Sequence, residues 1–213
     1  MNDDLTHRRA SRPRGPSLAL TSIVVWLAAA ASTGPLGIWS ALGGAAVVLG
    51  LAVLCFDRPA STALLRPSPR LLLLGATAGG LMVAATYLLY PLLARLLPLI
   101  ATDAAQLYAA FRAPSLVVAS VALIPVIVGE ELVWRGVVQT SLVQRLGAWR
   151  GVALAALLYA LVHVPLGSPL LVAVAFGCGL AWGALRATTA SLVPPLVAHL
   201  LWNGLVLLLA PLD

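Results

Sequence analysis

Three short stretches set acids, imidazoles and an amide inside long apolar runs: Glu130, Glu131 and Arg135; Tyr159 and His163; His199 and Asn203. The other acids fall near the ends (Asp3, Asp4, Asp213) or in expected loops (Asp57, Asp103). An ionisable side chain at the centre of a bilayer costs roughly 3 kcal/mol or more. A chain that keeps two glutamates, an arginine and two histidines in such surroundings is expected to use them. Helical spacing sorts their roles. Glu131 and Arg135 are four residues apart with the acid first, so they share a face and can pair. Glu130 is turned by about 100° from its neighbour and is left free, which suits a general base. His199 and Asn203, also four apart, offer an imidazole and a neutral amide on one face. The amide NH₂ can donate to an oxygen that becomes negative during a reaction.

Each pattern alone also has a structural reading. Glu131 with Arg135 is a bridge, His163 a hydrogen-bonded packing residue, and His199 with Asn203 interhelical glue. Their depth favours a functional reading. Counted from the arginine-bearing ends of their spans, Glu130, His163 and His199 lie at similar levels, roughly 15–22 Å in at ~1.5 Å per residue.

The elements that must position these groups follow from composition. The chain has 213 residues, of which 61% are hydrophobic and 9% charged, and its mean hydropathy is +1.01. No soluble domain of this size has an interior able to hide that much apolar surface. The expected class is an all-α polytopic membrane protein of about seven transmembrane helices, with one extra short helix possible. A barrel is excluded because the Leu, Ala and Val runs do not alternate with polar residues. Spans are expected near 18–33, 36–56, 71–97, 115–144, 151–165, 169–185 and 189–210. Residues 102–112 form either a short helix at the surface or part of an eighth crossing. The expected division is a basic cytosolic segment (1–17), N-terminal transmembrane helices (18–110) and a transmembrane core that carries the polar groups (111–213).

A net charge of +6, carried entirely by arginines among the basic residues, reports topology here rather than nucleic-acid binding. With the N-terminus in the cytosol, the inner side carries Arg8, Arg9, Arg12, Arg14, Arg58, Arg66, Arg70, Arg145, Arg150 and Arg186, and the outer side Arg95 and Arg112. That reading makes the site accessible from the cytosolic side. The basic start followed by an apolar run also fits a secretory signal, but Gly34-Pro35 leads directly into another apolar run and favours a retained span. Cys55 and Cys178 are expected as small core residues without a disulfide. Gly75 with Gly79, and Gly179 with Gly183, mark close helix packing. Pro125 and Pro194-Pro195, one turn before Glu130 and His199, allow two readings: ordinary kinks, or a cavity opened beside the polar groups.

In order, E-E-x-x-x-R, aromatic-x-x-x-H and H-x-x-x-N resemble the CPBP family of CAAX proteases and bacteriocin-processing proteins, over roughly residues 115–210. Tyr159 stands where that family usually has phenylalanine and keeps the aromatic ring. The resemblance implies intramembrane peptide-bond hydrolysis, with Glu130 and His163 activating water, His199 and Asn203 stabilising the oxyanion, and Glu131 and Arg135 supporting the site. It leaves two options for cofactors: none, or a divalent metal such as zinc held by Glu130, His163 and His199 as a His₂Glu set. The H-E-x-x-H signature is absent. Implied partners are the lipid bilayer and a membrane-anchored protein or lipidated peptide, with no nucleic acid. The compact length resembles bacterial members, placing the chain in an inner membrane with bacteriocin precursors or C-terminal anchors as substrates. Competing readings of the same residues are a proton- or solute-coupled transporter and a non-catalytic scaffold or immunity protein.

Overall fold

The computed structural model describes residues 15–56, 58–111 and 115–212. Arg8, Arg9, Arg12, Arg14 and Arg112, on which part of the arginine split rests, lie outside them, as do Asp3, Asp4, Asp57 and Asp213. Among the described residues the secondary structure is helical throughout, with no strand. This is what an apolar surrounding demands, because a helix satisfies its backbone polar groups within itself.

The principal helices are α1 (Gly15–Ala31), α2 (Trp39–Phe56), α3 (Pro69–Leu96), α4 (Pro98–Phe111), α5 (Leu116–Leu146), α6 (Ala148–Leu161), α7 (Pro169–Thr189) and α8 (Val193–Leu209). The expected apolar segments coincide with helices to within a few residues. Among the described residues five are long and apolar enough to cross a membrane: α2, α3, α5, α7 and α6 extended to Leu166; α1 and α8 are shorter apolar helices. Residues 102–111 of the expected short segment belong to α4, a full helix that starts at Pro98. The outer faces are apolar, with Leu88 77% and Leu99 82% exposed. The molecule is an all-α polytopic membrane protein.

Serine caps set three of the starts. Ser68, Ser115 and Ser168 each accept a hydrogen bond from the amide three residues on, at 3.3, 3.2 and 3.0 Å, and open α3, α5 and α7. Such a cap is worth about 1 kcal/mol. In α3 and α7 a proline follows the cap, where a missing N–H costs nothing. Pro194 and Pro195 likewise stand in the first turn of α8 and begin that helix rather than bending it. Pro125 lies within continuous α-helix, and the irregularity in α5 comes after the glutamates, as a π-helical segment from Leu132 to Val138.

Small residues draw the helices together, as expected in an apolar phase where burial alone does not drive association. A Cβ on Gly75 would sit 2.7 Å from the Pro194 carbonyl oxygen, and one on Gly79 2.9 Å from the Ala198 Cα, so α3 lies directly on α8. Gly179 and Gly183 bring α7 against Ala156 and Val152 of α6. A further pair was not expected: Gly50 of α2 faces Gly129 of α5, where a Cβ on Gly50 would be 2.7 Å from the Gly129 Cα. That approach seats α5 one residue before the two glutamates. Both cysteines are free. Cys178 is buried as expected, whereas Cys55 is exposed near the end of α2.

Candidate active site

Glu130 and Glu131 lie at the junction where α-helical α5 turns into its π segment. A π-helical turn inserts a residue and shifts the faces that follow it. Six of the seven residues from Leu132 to Val138 are buried, so this stretch is packed on almost every side. Glu131 has no exposed side-chain surface, while Glu130 keeps 12%. The two adjacent acids therefore occupy different surroundings, as their angular separation implies.

Glu131 Oε1 is 3.2 Å from Arg135 Nη1, the expected pair. The same oxygen is 2.8 Å from His199 Nδ1. Glu131 thus belongs to the imidazole as much as to the arginine, which spacing along one helix could not reveal. Arg135 is further held between two rings, with its guanidinium carbon 4.7 Å from the Tyr159 ring centroid and 5.0 Å from that of Trp182. Trp182 also stacks on His199, centroid to centroid 3.7 Å at 20°. Trp182 escaped the sequence reading because nothing in its spacing separates it from other apolar residues of α7.

A carboxylate oxygen accepts, so the contact with Glu131 assigns the His199 hydrogen to Nδ1. Nε2 then looks towards the Asn203 amide nitrogen (3.3 Å) and Glu130 Oε2 (3.8 Å). Glu130 is not free, as spacing suggested: the Tyr159 hydroxyl donates to its Oε2 at 2.8 Å. His163 enters through the same residue, its Nδ1 lying 2.6 Å from the Tyr159 carbonyl oxygen. The end of α6 explains this contact. The His163 amide bonds to Ala160 instead of continuing the α-helical pattern to Tyr159, so the Tyr159 carbonyl takes the imidazole N–H. Pro165, in the 3₁₀ turn Val164–Leu166, ends the helix just beyond.

All seven residues singled out from sequence therefore meet in one centre, across α5, α6 and α8. The conditional metal set is another matter. Among the described residues no three His, Cys, Asp or Glu side chains are grouped so as to hold a metal ion. Glu130, His163 and His199 do not fit a shared ion in this arrangement.

The centre forms the polar floor of a cavity of about 360 Å³ that includes Glu130, Tyr159, His163, His199 and Asn203. That size falls within the range of small-molecule sites. The walls are mostly apolar. One side of α4 contributes Ile100, Ala104, Leu107, Tyr108 and Phe111, a helical stripe. Two tethers hold α4 in place: Asp103 accepts from the Leu170 amide at 2.8 Å, and the Trp39 indole donates to the Phe111 carbonyl at 3.1 Å.

The cavity lies away from the arginine-bearing ends of the helices. The lining comes from the later parts of α3 and α8, the earlier part of α7, and α4. These lie away from Arg66, Arg70, Arg145, Arg150 and Arg186. Near the arginine-bearing ends the helices touch: Gly151 meets Val143, Gly75 meets Pro194, and Leu64 takes hydrogen bonds from Ser191 and Leu192.

Fold and site together define a membrane-embedded protein with a buried acid–imidazole centre under an apolar cavity. Residues 112–205 match the family model described as type II CAAX prenyl endopeptidase Rce1-like, in agreement with the CPBP resemblance of the three motifs. The matched region includes every residue from Glu130 to Asn203 and is similar to the type II CAAX prenyl endopeptidases. Neither a curated protein nor a solved structure matches the chain.

Proposed function

We propose that this protein is an intramembrane endopeptidase that hydrolyses a peptide bond of a prenylated or otherwise lipidated, membrane-anchored substrate, using a glutamate-activated water. One observation carries the reading: Glu130, the more exposed of the two central acids, faces an apolar cavity with imidazole and amide groups beside it. The apolar walls suit a lipid chain or an apolar peptide segment, and the floor suits the scissile bond.

In this reading Glu130 takes a proton from water as the water oxygen bonds to the carbonyl carbon. His163 helps to hold that water. The carbonyl oxygen becomes an oxyanion and accepts from the Asn203 NH₂, which has a second N–H beyond the one directed at His199. His199, which takes a proton from bulk water at Nε2 before the attack and keeps it throughout, is the second donor, and Glu131 on Nδ1 balances its charge. The C–N bond then breaks and Glu130 returns the proton to the leaving amine. Every step uses groups of this chain and water. Glu130→Gln, nearly isosteric, is expected to abolish cleavage of a lipidated peptide in purified, correctly inserted protein. Wild-type rates in a folded Gln variant would remove Glu130 from the role of base.

The arginine distribution supports a cytosolic N-terminus, which sets the cavity in the half of the bilayer away from the cytosol. Reporter fusions after Arg66, Asp103 and Arg186 are expected to read inside, outside and inside. An outside reading after Arg66 would reverse the assignment.

A further inference from the structure

Tyr159 makes more contacts in the centre than any role implied by its aromatic ring requires. The ring stands edge-on to Trp134 and to His163, at centroid distances of 5.1 and 4.9 Å, and carries the Arg135 guanidinium over its face. Its carbonyl engages His163 Nδ1 and its hydroxyl engages Glu130 Oε2. A phenylalanine would supply the ring and the carbonyl but not the hydroxyl. The residue is 6% exposed and lines the cavity, so the hydroxyl is both fixed by packing and next to the space where substrate would lie.

We propose that Tyr159 is a positioning residue for the hydrolytic glutamate: its hydroxyl fixes Oε2 of Glu130 and turns Oε1 towards the attacking water. The proposal rests on the peptidase reading above. A carboxylate on a flexible side chain can present either oxygen in several rotamers, and only some point at a water poised over the scissile carbonyl. A donor 2.8 Å from one oxygen selects the orientation before substrate arrives, which is where pre-organisation gains rate. The Tyr159 carbonyl does the same for His163. A carbonyl can only accept, so the imidazole hydrogen lies on Nδ1 and Nε2 is left as a lone pair. One residue thereby orients both groups assigned to water activation.

The test is Tyr159→Phe, which keeps the ring and the backbone contact and removes only the hydroxyl. A hydrogen bond to a charged group corresponds to about a 10- to 100-fold effect. The expected result is a fall of that size in kcat on a lipidated peptide, with KM and melting temperature close to wild type. A carboxylate infrared band should also shift in Tyr159→Phe, and adding Tyr159→Phe to Glu130→Gln should shift no such band. Tyr159→Leu, which loses the ring contacts as well, is expected to melt at lower temperature. Wild-type kcat in a folded Tyr159→Phe protein overturns the proposal. So does a loss confined to KM or to thermal stability, and so does an unmoved carboxylate band. If wild-type protein cleaves no lipidated peptide while the band still shifts, the peptidase reading has failed and the hydrolytic role falls with it, although the hydrogen bond itself is real. A failure of Tyr159 alone leaves wild-type cleavage intact, so the two cases are distinct.

Discussion

Two clusters one residue apart on α5 differ in almost every physical respect. Around Glu131, Arg135, His199 and Trp182 there is essentially no exposure, a carboxylate shared between guanidinium and imidazole, and the Trp182 ring against both groups. Around Glu130, Tyr159 and His163 the contacts are hydrogen bonds at the edge of a cavity, and the acid keeps some open surface. The first cluster is built to hold charge where water cannot reach. The second can meet water and a substrate. His199 joins them, with one nitrogen on each side. The lesson is that two identical, adjacent side chains receive different surroundings from the helix turn between them and from what packs against each face.

The largest test of that division is removal of the buried acid. Glu131→Leu leaves Arg135 as an uncompensated buried charge, and breaking such a pair costs about 3–5 kcal/mol. The variant is expected to melt well below wild type in detergent. Adding Arg135→Leu should recover part of the stability but not the activity, because His199 Nδ1 still lacks its acceptor. An unchanged melting temperature in Glu131→Leu would break the distinction between holding and reacting. Full activity in the double variant would detach His199 from Glu131.

A somewhat smaller effect is expected at Asn203. Loss of one oxyanion donor slows such reactions about 10²- to 10³-fold. Asn203→Asp should lose nearly as much as Asn203→Ala, since an ionised carboxylate has no N–H and repels the developing oxyanion. Cleavage rates and metal content measured on the same preparations decide the matter. An active aspartate variant carrying a stoichiometric divalent metal would replace the oxyanion donor with a ligand and move the chemistry to the other branch left open by the motifs.

Much of this molecule is legible in the residue order. Apolar run length determined where the helices lie, because a backbone in hydrocarbon has few other ways to satisfy its polar groups. Gly75 with Gly79, and Gly179 with Gly183, marked packing faces. The members of the polar centre were legible too, since ionisable residues are scarce in so apolar a chain. Their partners were not. Spacing reports neighbours on one helix, so it found Glu131 with Arg135 but not Glu131 with His199, which are 68 residues apart in sequence. It read Tyr159 as a ring because its hydroxyl acquires a role only when α6 is laid beside α5. Trp182 and the Gly50–Gly129 approach were hidden for the same reason. The side from which the cavity is formed depends on where helices close and where they part, a property of the assembled bundle. The sequence alone determined which groups lie deep in the apolar layer. Only the tertiary structure decided which oxygen of each glutamate faces a cation, a hydroxyl or open space, because that is set by contacts between helices distant in the chain.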